Sequence, residues 1–191
     1  MTALWQLSAT EWRDRLARGD VSARESVDAQ IERIETVNPA INALVVARFD
    51  HARREADTAD TRRLHGEPLG PLHGLPISIK ECLAVAGTAA TGGLSTRKAV
   101  IDTVNDPHVA RLCHAGGIVL GKTNVPQLMS FVETDNPVYG LTRNPWHHER
   151  SCGGSTGGEG ALIAAGGSPL GLGTDIGGSI RNPSHYCGVF G

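Results

Sequence analysis

The chain is short of lysine and has no excess of charge of either sign. Only three of its 191 residues are lysines, against fifteen arginines, and the net charge is −2. This balance argues against nucleic acid or an acidic membrane as a partner. Because a lysine can lose its proton inside a protein whereas an arginine effectively cannot, each lysine is a candidate for chemistry.

Paired cysteines and long apolar runs are also missing. The four cysteines, Cys82, Cys113, Cys152 and Cys187, show no C-x-x-C spacing. This pattern argues against a zinc site. We expect the thiols to be reduced and the protein to be cytoplasmic. We also expect no cofactor and no metal. No apolar run reaches about eighteen residues, which argues against a transmembrane helix. The first ten residues lack the basic-then-apolar order of a signal peptide.

Helices with clear start signals are predicted near the N-terminus. Ser8 and Glu11 form a capping box, and Ser22 is the N-cap of a second helix that Asn38-Pro39 should end. Downstream, short apolar strands alternate with helices, which favours an α/β domain with a layered sheet. The predicted elements are helices over 9–18, between Ser22 and Asn38, and over 50–63, 107–115 and 161–165, and strands over 75–79, 118–120 and 170–172.

The segment Gly116–Thr123 fits the P-loop pattern letter for letter, but its context is inverted. A P-loop needs a strand before its first glycine and a helix after its lysine. Here a helix is predicted before Gly116, residues 118–120 favour a strand, and Pro126 follows closely. We therefore do not assign nucleotide binding to this segment.

Two other glycine motifs are also weak. Gly153–Gly157 fits the G-x-S-x-G nucleophile elbow, but the polar segment before it cannot be the hydrophobic strand that an elbow follows. Gly171–Gly177 has glycine spacing similar to a dinucleotide-binding loop, without a predicted helix after it. The eight histidines show no triad or metal-ligand spacing.

One lysine and two serines stand in surroundings almost free of other charge. Lys80 follows the apolar run 75–79, and Ser155 and Ser179 each lie in a glycine-rich turn. Desolvation beside the apolar run would lower the pKa of Lys80 toward the neutral amine that a base needs. These residues suit nucleophilic serine chemistry in which a lysine, rather than a histidine, is the base.

These motifs resemble the N-terminal portion of the amidase signature family, and most closely its fatty acid amide hydrolase-like branch. The resemblance implies the amidase signature fold, an α/β architecture in which helices flank a mixed central sheet, here incomplete at the C-terminus. It predicts a single amidase domain over 1–191, with a helical segment over about 1–66 and a catalytic core segment over about 67–191. The matching segments are Pro71–Glu81, Thr123–Gln127, Asn144–Trp146 and Gly153–Gly191.

The resemblance implies a Ser–Ser–Lys triad with a cis peptide bond before the middle serine. Lys80 falls on the base, Ser155 on the bridging serine and Ser179 on the nucleophile. Met129 falls on a position whose backbone contacts substrate in the fatty acid amide hydrolase branch. The turn around Ser179 offers successive backbone N–H groups suited to an oxyanion hole. These N–H groups belong to Ile176, Gly177, Gly178 and Ser179, and we expect Asp175 and Arg181 to be a structural pair beside them.

The predicted function is therefore an amidase that hydrolyses a carboxylic amide C–N bond through an acyl-serine intermediate. Its expected partner is a small-molecule amide, and a homodimer remains open. Two alternatives also remain open. One is an A-type subunit of glutaminyl-tRNA amidotransferase, which would need partner subunits and ATP. Three stretches look more like fatty acid amide hydrolase: Lys80–Cys82, Gly158–Leu162 and Gly171–Ile176. The other is a truncated, inactive amidase fragment, because family members are much longer.

Overall fold

Four strands form one mixed sheet in the computed structural model, which describes residues 3–191. Their order is β1-β3-β2-β4, with β3 antiparallel to β1 and parallel to β2, and β2 parallel to β4. This is the α/β arrangement that the resemblance implied. Met1 and Thr2, the start of the predicted helical segment, lie outside the described range. The strands are β1 (Leu44–Ala47), β2 (Pro76–Lys80), β3 (Ile118–Thr123) and β4 (Gly171–Leu172).

Helices pack around this sheet. They are α1 (Ala9–Arg18), α2 (Ala23–Ile41), α3 (Phe49–Leu64), α4 (Pro107–His114), α5 (Gly157–Ala164) and α6 (Arg181–Cys187). Helices α2 and α5 contact β2, β3 and each other, and α3 contacts α2 and β3. No helix within residues 3–191 is long and apolar enough to cross a lipid bilayer. Fully buried apolar side chains in the core include Ile31, Ile34, Ile77, Leu120 and Leu162.

The start signals of the first two helices are confirmed. Ser8 Oγ accepts a hydrogen bond from the Glu11 N–H, and the Glu11 carboxylate accepts from the Ser8 N–H. Ser22 and Glu25 make the same reciprocal pair at the start of α2. Each pair satisfies two backbone donors that the first turn of a helix leaves without partners.

The predicted end of α2 at Asn38-Pro39 is wrong, because the helix continues through Pro39. Pro39 lies in the last turn, where it removes a single hydrogen bond. The Asn38 side chain accepts from the N–H groups of Ala43 and Leu44, both at 2.8 Å. Asn42 adopts the left-handed conformation, with φ of 50°, and ends the helix. These contacts fix a tight passage from α2 into β1.

Two elements near the predicted site are longer than predicted, and α6 was not predicted. β3 runs to Thr123 and all six of its residues are buried. Helix α5 begins at Gly157, four residues before the predicted start. The lysine and threonine of the P-loop-like segment therefore lie within a strand that follows a helix, as the rejection of that motif required.

Candidate active site

The Lys80 side chain ends the central strand β2 and is fully buried. Its amine nitrogen Nζ lies 2.8 Å from Ser155 Oγ, 2.8 Å from Thr156 Oγ1 and 2.9 Å from Thr174 Oγ1. Burial lowers the pKa of the amine to about 8, even though Cys82 and nearby carboxylates favour the charged form. Among residues 3–191 the amine contacts three hydroxyls and the Thr174 carbonyl and forms no ion pair, so its neutral form is accessible near physiological pH.

Ser155 lies two residues before α5. It is 2% exposed, and the Gly154–Ser155 peptide bond is cis. The next residue, Thr156, donates its backbone N–H to the Ser179 carbonyl at 2.9 Å. This bond places the two predicted serine loops side by side, next to the lysine.

Ser179 is half-buried just before α6. Within residues 3–191 its hydroxyl forms no hydrogen bond. Of the two hydrogen bonds that the predicted triad requires, the structure contains the one between Lys80 and Ser155 and lacks the one between Ser155 and Ser179. The Ser179 hydroxyl therefore has no hydrogen-bond partner among the described residues, although its loop is bonded to the residue that follows Ser155.

Asp175 organises the turn that carries Ser179. Its carboxylate accepts from the Gly178 N–H at 2.7 Å, the Ile180 N–H at 3.0 Å and the Arg181 guanidinium at 2.9 Å. Hydrogen bonds from Arg181 and from these backbone amides hold the pKa of Asp175 well below its usual range. The structural pair predicted for Asp175 and Arg181 is present.

The predicted oxyanion hole needs one correction. The Gly178 N–H points to Asp175 rather than to open space, so it is not free to stabilise a developing oxyanion. In the described chain, the N–H groups of Ile176, Gly177 and Ser179 have no hydrogen-bond partner. Ile176 and Gly177 are exposed, so these donors lie at a surface that a substrate can reach.

Met129 lies on a segment that passes beside the cis peptide. It ends a short 3₁₀ turn over Gln127–Met129, is half-buried and has φ of 56°. A Cβ on Gly154 would lie 2.8 Å from the Phe131 carbonyl, so this segment runs along the Ser155 loop. No hydrogen bond in the described residues joins Met129 to Lys80 or to either predicted catalytic serine.

The sequence interpretation missed three polar residues near the amine, two of which contact it. Thr156 was not among the predicted site residues, yet its Oγ1 accepts a hydrogen bond from Lys80 Nζ. Thr174 accepts a hydrogen bond from the same amine, and the buried Glu159 carboxyl is bonded to Ser78 and to Thr123, the register partner of Lys80. Thr156 could have been found from its position beside Ser155. Thr174 and Glu159 lie in stretches that resemble the family, but their positions near the lysine depend on strand order. Within residues 3–191 no group of three or more His, Cys, Asp or Glu side chains could hold a metal ion.

Comparison with known proteins gives one consistent result. The family model described as Amidase matches residues 25–191. The chain is 45% identical, over 98% of its length, to fatty-acid amide hydrolase 2-B of Danio rerio and covers 37% of that protein. It is 40% identical, over 97% of its length, to the A-type subunit of glutamyl-tRNA(Gln) amidotransferase from Synechococcus sp. (strain CC9605) and covers 38% of it. A solved structure of fatty acid amide hydrolase matches with a TM-score of 0.91 at 34% identity, over 95% of this chain and 32% of that one.

The chain thus spans less than two fifths of the length of each of these proteins. Within that span the agreement extends from sequence to fold. The family model covers most of the chain, and the mixed sheet with its helices is the one found in solved amidase signature structures. The chain belongs to the amidase signature family.

Proposed function

We propose that this chain carries the catalytic residues of an amidase that hydrolyses a carboxylic amide through an acyl-Ser179 intermediate. The observation that carries the proposal is the 2.8 Å contact between Lys80 Nζ and Ser155 Oγ. It is made in a buried site where no carboxylate of the described residues contacts the amine directly. A lysine desolvated in this way can lose its proton and act as a base.

In the proposed mechanism the neutral Lys80 amine takes the Ser155 proton while Ser155 takes the proton of Ser179. The Ser179 oxygen attacks the amide carbon, and the resulting oxyanion faces the free N–H groups of Ile176, Gly177 and Ser179. The proton returns through Ser155 to the leaving nitrogen, which departs as an amine. Water then attacks the acyl-Ser179 ester and gives a proton through Ser155 to Lys80. That proton returns to the Ser179 oxygen as the ester bond breaks, which releases a carboxylic acid and restores the Ser179 hydroxyl.

A hydrolase is favoured over an amidotransferase component by the residues next to the catalytic ones. The Lys80-Glu81-Cys82 and Gly171–Ile176 stretches resemble the fatty acid amide hydrolase branch. The chain is also more similar to fatty-acid amide hydrolase 2-B than to the amidotransferase component. We therefore propose a small-molecule amide as substrate. One domain over 1–191, a cytoplasmic location and a homodimer remain predictions.

The test is hydrolysis of an acyl anilide by the purified chain without ATP or a second protein. We expect aniline release that needs neither ATP nor a second protein, because the proposed serine and lysine residues cleave the amide themselves. Ser179→Ala should abolish release, whereas Ser95→Ala, which alters an exposed serine, should not. Undiminished release by Ser179→Ala would refute the assigned nucleophile, and no release by the folded chain would favour the fragment or amidotransferase alternative.

A further inference from the structure

A buried carboxyl group that the proposed mechanism does not use lies on the same face of the sheet as the Lys80 side chain. Glu159, in the first turn of α5, is 3% exposed. Ser78 Oγ donates to its Oε2 at 2.5 Å, and Thr123 Oγ1 donates to its Oε1 at 2.9 Å. Within the described residues no Arg, Lys or His forms an ion pair with it. Burying a carboxyl without an ion pair costs free energy, so its presence needs a reason.

The two hydroxyls that hold Glu159 flank Lys80 in the sheet. Ser78 precedes Lys80 by two residues, so both side chains leave β2 on the same face. Thr123 is the register partner of Lys80 on β3. On β4, a Cβ at Gly171 would overlap the Glu159 carboxyl, so a glycine there makes room for it. Three strands and α5 thus fix the carboxyl on the face of the sheet from which Lys80 projects.

Three titratable groups act on the Lys80 amine from the surrounding elements. They are Cys82, just after β2, Asp175 in the turn before α6, and Glu159 on α5. The charged residue Lys122 of β3 is adjacent in sequence to the register partner of Lys80, so it leaves the sheet on the opposite face. β4, which consists of Gly171 and Leu172, contributes no titratable side chain.

Of these three groups, Glu159 changes charge closest to neutral pH. Burial raises the pKa of the Cys82 thiol, which keeps it neutral. Hydrogen bonds, foremost from Arg181, hold the pKa of Asp175 low and keep it ionised. Burial raises the pKa of Glu159 to about 7, although its hydrogen bonds favour the ionised form. The charge of Glu159 therefore changes over a range that overlaps the titration of Lys80.

We propose that Glu159 is a positioning residue for the base, because its buried carboxyl, fixed by Ser78 and Thr123, sets the charge state of the Lys80 amine. The inference rests on the proposed role of Lys80. The ionised carboxylate stabilises the protonated amine. When the carboxyl takes up a proton that stabilisation is lost, and the amine becomes neutral more readily.

The direct test is a pH titration of the Lys80 amine by nuclear magnetic resonance. Since the chain has only three lysines, isotope-labelled lysine resolves each amine. In Glu159→Gln, which keeps the shape and can still bond both hydroxyls, we expect the Lys80 midpoint to fall by about one pH unit. The exposed Lys98 should not shift, and neither should Lys80 in Glu149→Gln, which alters an exposed carboxylate. An unchanged Lys80 midpoint in folded Glu159→Gln would overturn the proposal.

A second variant keeps the proposal testable if Glu159→Gln does not fold. Thr123→Val preserves side-chain shape but removes one hydrogen bond that favours the ionised Glu159. The Glu159 carboxyl should then stay protonated to higher pH. The pH midpoint of the Lys80 titration should therefore fall, but by less than it falls in Glu159→Gln. A midpoint equal to that of the unaltered chain would contradict the coupling.

Failure of this proposal and failure of the proposed function can be told apart, because the titration does not require Ser179 to react. If Lys80 is the base, Glu159→Gln should also move the rising limb of Ser179 reactivity toward lower pH by the same amount. A shifted amine without any Ser179 reaction would support the Glu159–Lys80 coupling and refute the amidase assignment. A purely structural role for Glu159 would change stability but leave the midpoint in place.

Discussion

Replacing Lys80 with methionine should slow the reaction of Ser179 with a fluorophosphonate probe by about 10²- to 10⁴-fold, the usual contribution of a positioned base. Methionine fills a similar apolar space but cannot take a proton, so Ser155 and Ser179 keep theirs. The hydroxyls of Thr156 and Thr174 lose a donor, but Thr156 Oγ1 can still donate to the Thr174 carbonyl, at 3.1 Å. The rate is measured from the growth of labelled protein at several probe concentrations.

Lys122→Met is the matched control. Lys122 is as completely buried as Lys80 and lies on the adjacent strand β3, but its amine donates to the Ala89 carbonyl at 2.6 Å and not to a serine. Any general effect of removing a buried lysine should appear in both variants, and the loss of labelling only in Lys80→Met. Equal labelling rates for folded Lys80→Met and the unaltered chain would show that Lys80 is not the base.

The second large effect is the pH dependence of the same reaction. Burial lowers the pKa of Lys80 to about 8, so the neutral amine is the minor form below that pH and the major form above it. The Ser179 labelling rate should rise about tenfold per pH unit up to the midpoint and then level off. The labelling rate rises with pH rather than falls because Lys80, as the proposed base, acts in its deprotonated form.

Other nucleophilic groups of the protein also react faster at high pH, so the background labelling of Ser179→Ala, which lacks the proposed nucleophile, is subtracted at each pH. Lys80→Met should give a profile without the inflection near pH 8. An inflection near the ordinary lysine value of about 10.4 would mean that the amine is not desolvated in solution. A rate that falls as pH rises would mean that the protonated amine is the active form.

Local sequence signals were sufficient for the starts of α1 and α2 and for most of the central strand β2. Ser8 with Glu11 marks α1 because a short side chain and a carboxylate three residues later satisfy backbone donors of the first turn. The apolar run before Lys80 marks β2 because a strand buried on both faces has no polar alternation to interrupt it. Such contacts form between residues near one another in the chain.

The contacts around the amine depend instead on strand order. Ser78 and Glu159 are 81 residues apart, and Lys80 and Thr174 are 94 apart, yet both pairs are in hydrogen-bond contact. No periodicity within one segment predicts which strand lies beside another. The early start of α5 has a similar origin, because Gly158, a poor helix former, is held by a hydrogen bond from its N–H to the Asn124 carbonyl.

The central claim is that Lys80, acting through Ser155, makes Ser179 the nucleophile. It is tested most directly by identifying the residue that carries the adduct after the folded chain reacts with a fluorophosphonate. Mass spectrometry of the digested chain should place one adduct on Ser179, and Lys80→Met should carry little or none after the same exposure. An adduct on Ser155, or the absence of any adduct from the folded chain, would contradict the assignment.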